Sequence, residues 1–144
     1  GFHESQAIYA YFYMAGEVVD KNLNEAHDWA LKSAVQGNAL GQVLVGKILS
    51  EQNDDEASRR EIAKWYKLAA EQGDVEGQAL LGVTLSTLSD RRDEGMMWLY
   101  VAAAQGSRVA KKVRDDFLPL TPEAMITNAK EKARNCMAQN YKGC

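Results

Sequence analysis

Apolar residues in this chain recur at helical spacing, and the pattern itself recurs. Gln6, Gln42 and Gln78 stand at intervals of 36 residues. Four positions after each comes a small residue, Ala10, Gly46 or Gly82. Tyr9, Val45 and Leu81 precede these small residues, and Tyr13, Leu49 and Leu85 follow three positions later. Such positions share one apolar helical face. The small residue on that face lets another helix approach closely. The spacing predicts a first helix in each repeat, near 5–15, 39–51 and 75–88.

A second helix follows each first one. Asn24, Asp55 and Asp90 are the expected N-caps, each ahead of an acidic first turn that suits the positive end of the helix dipole. Each second helix carries a tryptophan, Trp29, Trp65 or Trp98, and an alanine-rich last turn. The large rings are expected to fill the gap between neighbouring helix pairs. Each helix stops at Gly37, Gly73 or Gly106, residues able to take the left-handed geometry of a helix C-terminus. Only a residue or two separates that glycine from the next helix, which forces antiparallel neighbours. A further helix is predicted near 110–117, ended by Pro119 and Pro122. Thr121 is the expected N-cap of a last helix running from about Pro122 to Gln139, with Pro122 as its first residue. Its Ala124, Met125, Ala129, Ala133 and Met137 are placed to cover the open end of the stack.

The whole reads as an array. Residues 33–42 (SAVQGNALGQ), 69–78 (AAEQGDVEGQ) and 102–111 (AAAQGSRVAK) repeat one phrase. A period in this range marks stacked units whose long surfaces serve binding. The expectation is one all-α domain over residues 1–144, a superhelix of antiparallel helix pairs. Its repeats cover about 5–37, 38–73 and 74–106, with a partial repeat and cap over 107–144.

Composition narrows the function. The 144 residues suit one ordinary domain. No apolar run approaches the ~20 residues of a membrane helix. The net charge of −3 is uneven: residues 1–106 carry 16 acidic and 9 basic side chains, and residues 107–144 carry 4 and 8. A mildly acidic array with a basic end lacks the broad basic face of a nucleic-acid binder. No signal peptide is present, and the chain opens at Gly1 on a ready-made helix, as expected of a mature form that has lost a targeting segment.

The pattern resembles the Sel-like repeat family, a branch of the tetratricopeptide-like α-solenoids. The residues that carry the likeness are KWYKLAAEQG (64–73), Leu81-Gly82, the step from Tyr13 to Gly16, and Ala26 to Trp29. It covers residues 5–112. Ala10 departs from the family's glycine, and the third turn, Leu88 to Arg92, is short. The resemblance implies a right-handed superhelix acting as an adaptor. Family members scaffold complexes in signalling, protein quality control, and bacterial envelope and virulence systems. The tail ARNCMAQNYKGC (133–144) looks like the ending of exported bacterial members, which implies a periplasmic or secreted location.

The two cysteines, Cys136 and Cys144, lie eight apart. Gly143 and a helix end near Asn140 give the chain room to turn back, so a disulfide is sterically reasonable. Such a bond would persist in an oxidising compartment. Two free thiols of a cytosolic protein are the alternative. A metal site is the third reading, with no further cysteine or histidine nearby to support it.

A search for chemistry yields no catalytic arrangement. His3 is expected in a frayed terminus, and His27 is expected as a packing residue beside the apolar stripe. No phosphate loop, nucleophile elbow or zinc-type histidine pair occurs. The carboxylates cluster at helix starts, where the dipole explains them. The expectation is a non-enzyme with no cofactor, no metal, no nucleic acid and no small-molecule substrate.

Binding remains. By similarity to tetratricopeptide arrays, the concave side is lined by Ala7, Tyr11 and Met14; Val43, Lys47 and Ser50; and Ala79, Val83 and Ser86. These positions vary between repeats while the seam positions do not. The first helix is strongly aromatic: Tyr9 and Tyr13 fit the seam, Phe12 aligns with Ile48 in the core, and Tyr11 has no packing duty. An exposed tyrosine is a preferred interface anchor. The expected partner is another protein, either an effector enzyme or a component of an envelope complex. The leading version is an immunity protein against a secreted lipase effector. The alternatives are an envelope scaffold and a chaperone-like peptide receptor.

Overall fold

Short polar side chains start most of the helices by satisfying backbone N–H groups that have no partner within the helix. In a computed structural model describing all of Gly1–Cys144, eight α-helices and one 3-10 turn form, with no strand. Helix α1 spans Phe2–Ala15 and ends at Gly16 in the left-handed region, φ 72°. Asn22 caps α2 (Leu23–Ala34), accepting from the N–H groups of Asn24 and Glu25. Asn38 caps α3 (Ala39–Gln52) through the N–H of Gly41. The Asp55 carboxylate accepts from the Ser58 N–H at 2.8 Å at the start of α4 (Glu56–Ala70). That bond, together with the Ser58 side chain, holds its carboxyl below the usual range. Asp74 caps α5 (Val75–Ser86), and Ser107 caps α7 (Arg108–Phe117). Between these two lies α6 (Arg92–Ala104), with Arg91 at its N-cap position and no side-chain cap. A 3-10 turn, Leu118–Leu120, leads to α8 (Glu123–Ala138).

Several expected details change. Asn24 lies inside α2, and Asn22 does the capping. Asp90 falls one residue short of the α6 cap. Pro122, not Thr121, holds the α8 cap position, while the Thr121 hydroxyl donates to the Phe117 carbonyl at 2.7 Å. Helix α7 starts two residues earlier than expected because Ser107 caps it. The three stop signals behave as the sequence implies: Gly37, Gly73 and Gly106 have φ of 86°, 84° and 96°.

The helices fall into two compact units, Gly1–Ala69 and Ala70–Cys144. In the first, α2 packs on both α1 and α3, and α1 also meets α3. Its core joins Ala7 and Ala10 of α1, Ala26, Ala30 and Ala34 of α2, and Leu44, Val45 and Ile48 of α3. In the second, α6 packs on α5, α7 and α8, and α7 also meets α5. Its core joins Ala79, Leu99, Ala102, Ala103 and Ala110. Alanine dominates both lists because adjoining helices are drawn close.

The repeated small position shows how close. A Cβ added at Gly46 would run into the ring of Tyr66. One added at Gly82 would lie 2.9 Å from the Leu99 side chain and from its backbone nitrogen. Ala10, the first-repeat counterpart, is fully buried. The tryptophans are not equivalent. Trp98 is fully buried, as expected. Trp29 and Trp65 are only partly buried against the first core. The Tyr9 ring lies 5.4 Å from Trp29, with Lys32 Nζ 4.4 Å from the Trp29 ring centroid. Tyr9 is therefore exposed and not a seam residue, and Phe12 is half-buried instead of core.

The second unit closes on itself at its end. Cys136 and Cys144 form a disulfide with a Cα separation of 5.4 Å. Between them Asn140 and Tyr141 adopt positive φ, 54° and 67°, a conformation disfavoured for side-chain-bearing residues. The Tyr141 N–H donates to the Cys136 carbonyl at 2.9 Å, and its hydroxyl donates to Gln105 Oε1 at 3.1 Å. No helix of the chain is long and apolar enough to cross a membrane.

Two stability measurements test this packing. Gly46→Ala should lower unfolding stability by about 1–3 kcal/mol in urea titrations, the range of an overpacked core. Reducing the Cys136–Cys144 bond should lower it by about 2–3 kcal/mol on the loop-entropy account, read as a shift between titrations with and without reductant. An unchanged midpoint would remove the disulfide from the stability of the second unit.

Candidate interaction surface

The first helices α1, α3, α5 and α7 carry the positions expected to face a partner, and burial divides those positions sharply. Ala7, Val43, Ala79 and Ser86 are buried, and the concave-face assignment fails for these four as contact residues. First helices pack on one another, α1 on α3 and α5 on α7, as well as on second helices. Ala7 joins the core of α1, α2 and α3, and Ala79 that of α5, α6 and α7. Ser86 lies against Gly95 of α6, with its hydroxyl turned inward and donating to the Gly82 carbonyl at 2.7 Å.

The accessible remainder is Tyr11, Met14, Lys47 and Ser50 in the first unit and Val83 in the second. Tyr11 is 44% exposed, its ring set edge-on to Phe12 at 6.2 Å. Met14 and Val83 are half-buried against their cores. Lys47 is half-buried, one helix over from Tyr11 at the equivalent repeat position. Ser50 is exposed, with its hydroxyl donating to the Lys47 carbonyl at 2.7 Å. This leaves an aromatic ring, a lysine and a hydroxyl on adjoining helices, a mixture suited to gripping protein surface.

Further apolar residues, missed by the stripe reading, are exposed outside that stripe. Ile8 is 49% and Tyr9 54% exposed on α1, and Leu40 is exposed on α3. Their signal was present in the alignment of repeats: Ile8 and Tyr9 match Leu44 and Val45, which are buried. Residues that fill a core in one repeat stand open in another.

A second candidate lies in the other unit. A cleft of about 540 Å³ sits between the start of α6 and the disulfide-closed end of α8. Arg91, Arg92 and Lys132 line it together with Asp90, Asp93 and Glu94. Arg91 pairs with Glu94 at 2.7 Å, so the lining is of mixed sign. Nearby, Arg114 and Lys130 flank the ring of Tyr100 at 5.2 and 5.8 Å. Burial pushes the Tyr100 hydroxyl above its usual range, opposed by the Arg114 charge and assisted by Asp115.

The histidines are structural. His3 is not frayed: its carbonyl accepts from the Ser33 hydroxyl at 2.6 Å, and its Nδ1 lies 3.3 Å from Asn38 Nδ2. His27 is half-buried, with Nδ1 4.0 Å from Asp28. No group of three histidine, cysteine or acidic side chains converges in a way that could hold a metal ion.

The aligned glutamines play a part the sequence did not disclose. Gln42 Nε2 donates to the Ala34 carbonyl at 3.4 Å, and Gln78 Nε2 donates to the Ala70 carbonyl at 3.1 Å. Each thereby satisfies a last-turn carbonyl of the helix before it. Gln36 Nε2 donates to Gln6 Oε1 at 2.7 Å, and Gln105 Nε2 donates likewise to Gln78 Oε1. A side-chain relay thus recurs at the repeat period.

Comparison with known proteins agrees with this architecture. The Sel1 repeat family model matches residues 3–38, 63–74 and 75–107. A crystal structure of a Sel1 repeat protein from Oxalobacter formigenes is similar with a TM-score of 0.68 at 20% sequence identity, a likeness of fold. The match covers 99% of this chain and 59% of that one, so this chain spans about three fifths of that relative's length. No curated protein matches the sequence. Repeat phrase, helix pairs and matched residues together place the chain in the Sel1 repeat family, whose repeats are protein–protein interaction modules.

Proposed function

We propose that the chain is a non-enzymatic binding module of the bacterial envelope that holds another protein on the first-helix surface of its first unit. The observation that carries this reading is Tyr11, 44% exposed on α1, with Lys47 and Ser50 on the adjoining helix α3. An amphipathic ring held on a rigid helix loses little entropy on binding and provides a large contact area. Membership in the Sel1 family supports a scaffolding role in place of catalysis. The disulfide supports an oxidising compartment, periplasmic or secreted, where such bonds persist.

In its specific form, the partner is a secreted type VI lipase effector. The chain acts as the immunity protein by covering the active site or the membrane-facing surface of the toxin. A scaffold for a motility, cell-wall or virulence complex and a receptor for extended peptides are the rival forms. Affinity capture from the native envelope, followed by titration of the recovered protein, separates them. A one-to-one nanomolar complex with a lipase supports immunity. Capture of structural envelope components supports the scaffold, and micromolar binding of many unrelated peptides supports the receptor.

Tyr11→Ala and Lys47→Glu should each weaken the captured complex by about tenfold or more, the size of a hot-spot loss, with melting temperature unchanged. Calorimetric titration of both variants checks this. Wild-type affinity in both would move the binding surface elsewhere, to the α6–α8 cleft or the basic end.

A further inference from the structure

The turn that closes the second unit holds an unfavourable backbone. Between Cys136 and Cys144, φ is left-handed at Asn140, Tyr141 and Gly143 (54°, 67° and 72°). Only the last of these is a glycine, and the other two keep a conformation costly to residues with side chains. Gln139, Asn140, Lys142 and Gly143 are exposed. Tyr141 ties the turn to the rest of the unit. Its hydroxyl donates to Gln105 Oε1 at 3.1 Å, and its ring lies over Gly73, where an added Cβ would be 3.3 Å from Cε2.

The repeats do not need that cover. At Gly37 and Gly106, which end the other second helices in the same left-handed geometry, an added Cβ would meet nothing within 4 Å. Nor does α8 depend on the turn for its seat. Helix α8 packs on α6, with Ala129 and Ala133 buried and Lys130 Nζ 5.8 Å from the Tyr100 ring. Both cysteines line the α6–α8 cleft. Cys136 is buried and Cys144 only half-buried, so the bond is open to attack at Cys144. Accessible disulfides in strained segments are the ones that exchange with external thiols.

We propose that the Cys136–Cys144 bond is a redox latch. Closed, it holds Tyr141 over Gly73 and gives the cleft a wall of Gln139, Gly143 and Cys144. Open, it releases residues 139–144 and leaves α8 seated on α6. The opening reagent is an external dithiol. One of its thiolates attacks Cys144 Sγ, forming a mixed disulfide and expelling Cys136 as a thiolate, which takes up a proton. The second thiolate of the reagent attacks the reagent's own sulfur in that mixed disulfide. Cys144 then leaves as a thiolate and is protonated. The dithiol ends as a disulfide, and two electrons and two protons have passed to the two cysteines. The latch couples the shape of the cleft to the thiol–disulfide balance around the protein. It goes beyond the binding reading above and makes no use of the Tyr11 surface.

Nuclear Overhauser measurements on the full chain, before and after dithiothreitol and without denaturant, test the latch. In the oxidised chain, cross-peaks should join the Tyr141 ring to the Gly73 α protons and the Lys130 side chain to the Tyr100 ring. Reduction should abolish the first and keep the second, with helicity by circular dichroism unchanged. Cys144→Ser should give the open pattern with no reductant present, and reoxidation of the wild-type chain should restore the closed one. Persistence of the Tyr141–Gly73 cross-peak in the reduced chain or in Cys144→Ser overturns the proposal, because the turn then stays docked without the bond. Loss of both cross-peaks, or of helicity, overturns it too, since the bond would then hold all of α8. A bond that dithiothreitol does not reduce in the folded chain has the same effect.

Discussion

A helix pair cannot bury its own apolar stripe, and everything in this chain depends on how closely the next helix can come. Glycine and alanine at the contact positions set that distance. Gly46 lies against the Tyr66 ring, and Gly82 lies against both the side chain and the backbone of Leu99. The gain is dispersion and the removal of apolar surface from water over many short contacts. The cost is intolerance: a single methyl group at either glycine has nowhere to go. Close approach also brings the polar ends of helices into dry surroundings, where an unpaired carbonyl costs about 1–3 kcal/mol. The glutamines at 42 and 78 answer that cost, each reaching back to a carbonyl eight residues earlier.

The same repeat position therefore has different meanings along the chain. Trp98 is wholly buried and its Nε1–H finds no acceptor, while Trp29 is half open and lies between Tyr9 and Lys32. Position 9 is a stacking tyrosine on an open face, whereas its counterparts Val45 and Leu81 are fully enclosed. The larger, aromatic side chains of α1 are exposed where their counterparts in later repeats are enclosed.

The second unit handles exposure differently. Helix α8 covers α6, and the chain then turns back through two residues in a strained left-handed conformation. The disulfide between Cys136 and Cys144 and the hydrogen bonds of Tyr141 hold that turn. The Tyr141 hydroxyl reaches the outermost glutamine of the relay, so the covalent staple and the polar network converge at one end.

The local grammar of the fold could be read from the residues alone. Recurrent glycines at positive φ, tryptophans at fixed spacing and the 36-residue register set the number of helices and nearly all their boundaries, because those signals act within a turn or two of chain. Capping was less secure: Asn22 does what Asn24 was expected to do, since two adjacent asparagines offer the same chemistry and only the approach of the chain chooses between them. Burial was decided by tertiary structure. Ala7, Val43, Ala79 and Ser86 look like surface on a single helix and become interior once neighbouring helices pack on them. Likewise no periodicity could show that Gln42 and Gln78 each reach back to a last-turn carbonyl of the preceding helix. A side chain's partner is fixed by the neighbouring helix in space, which a one-dimensional pattern does not contain.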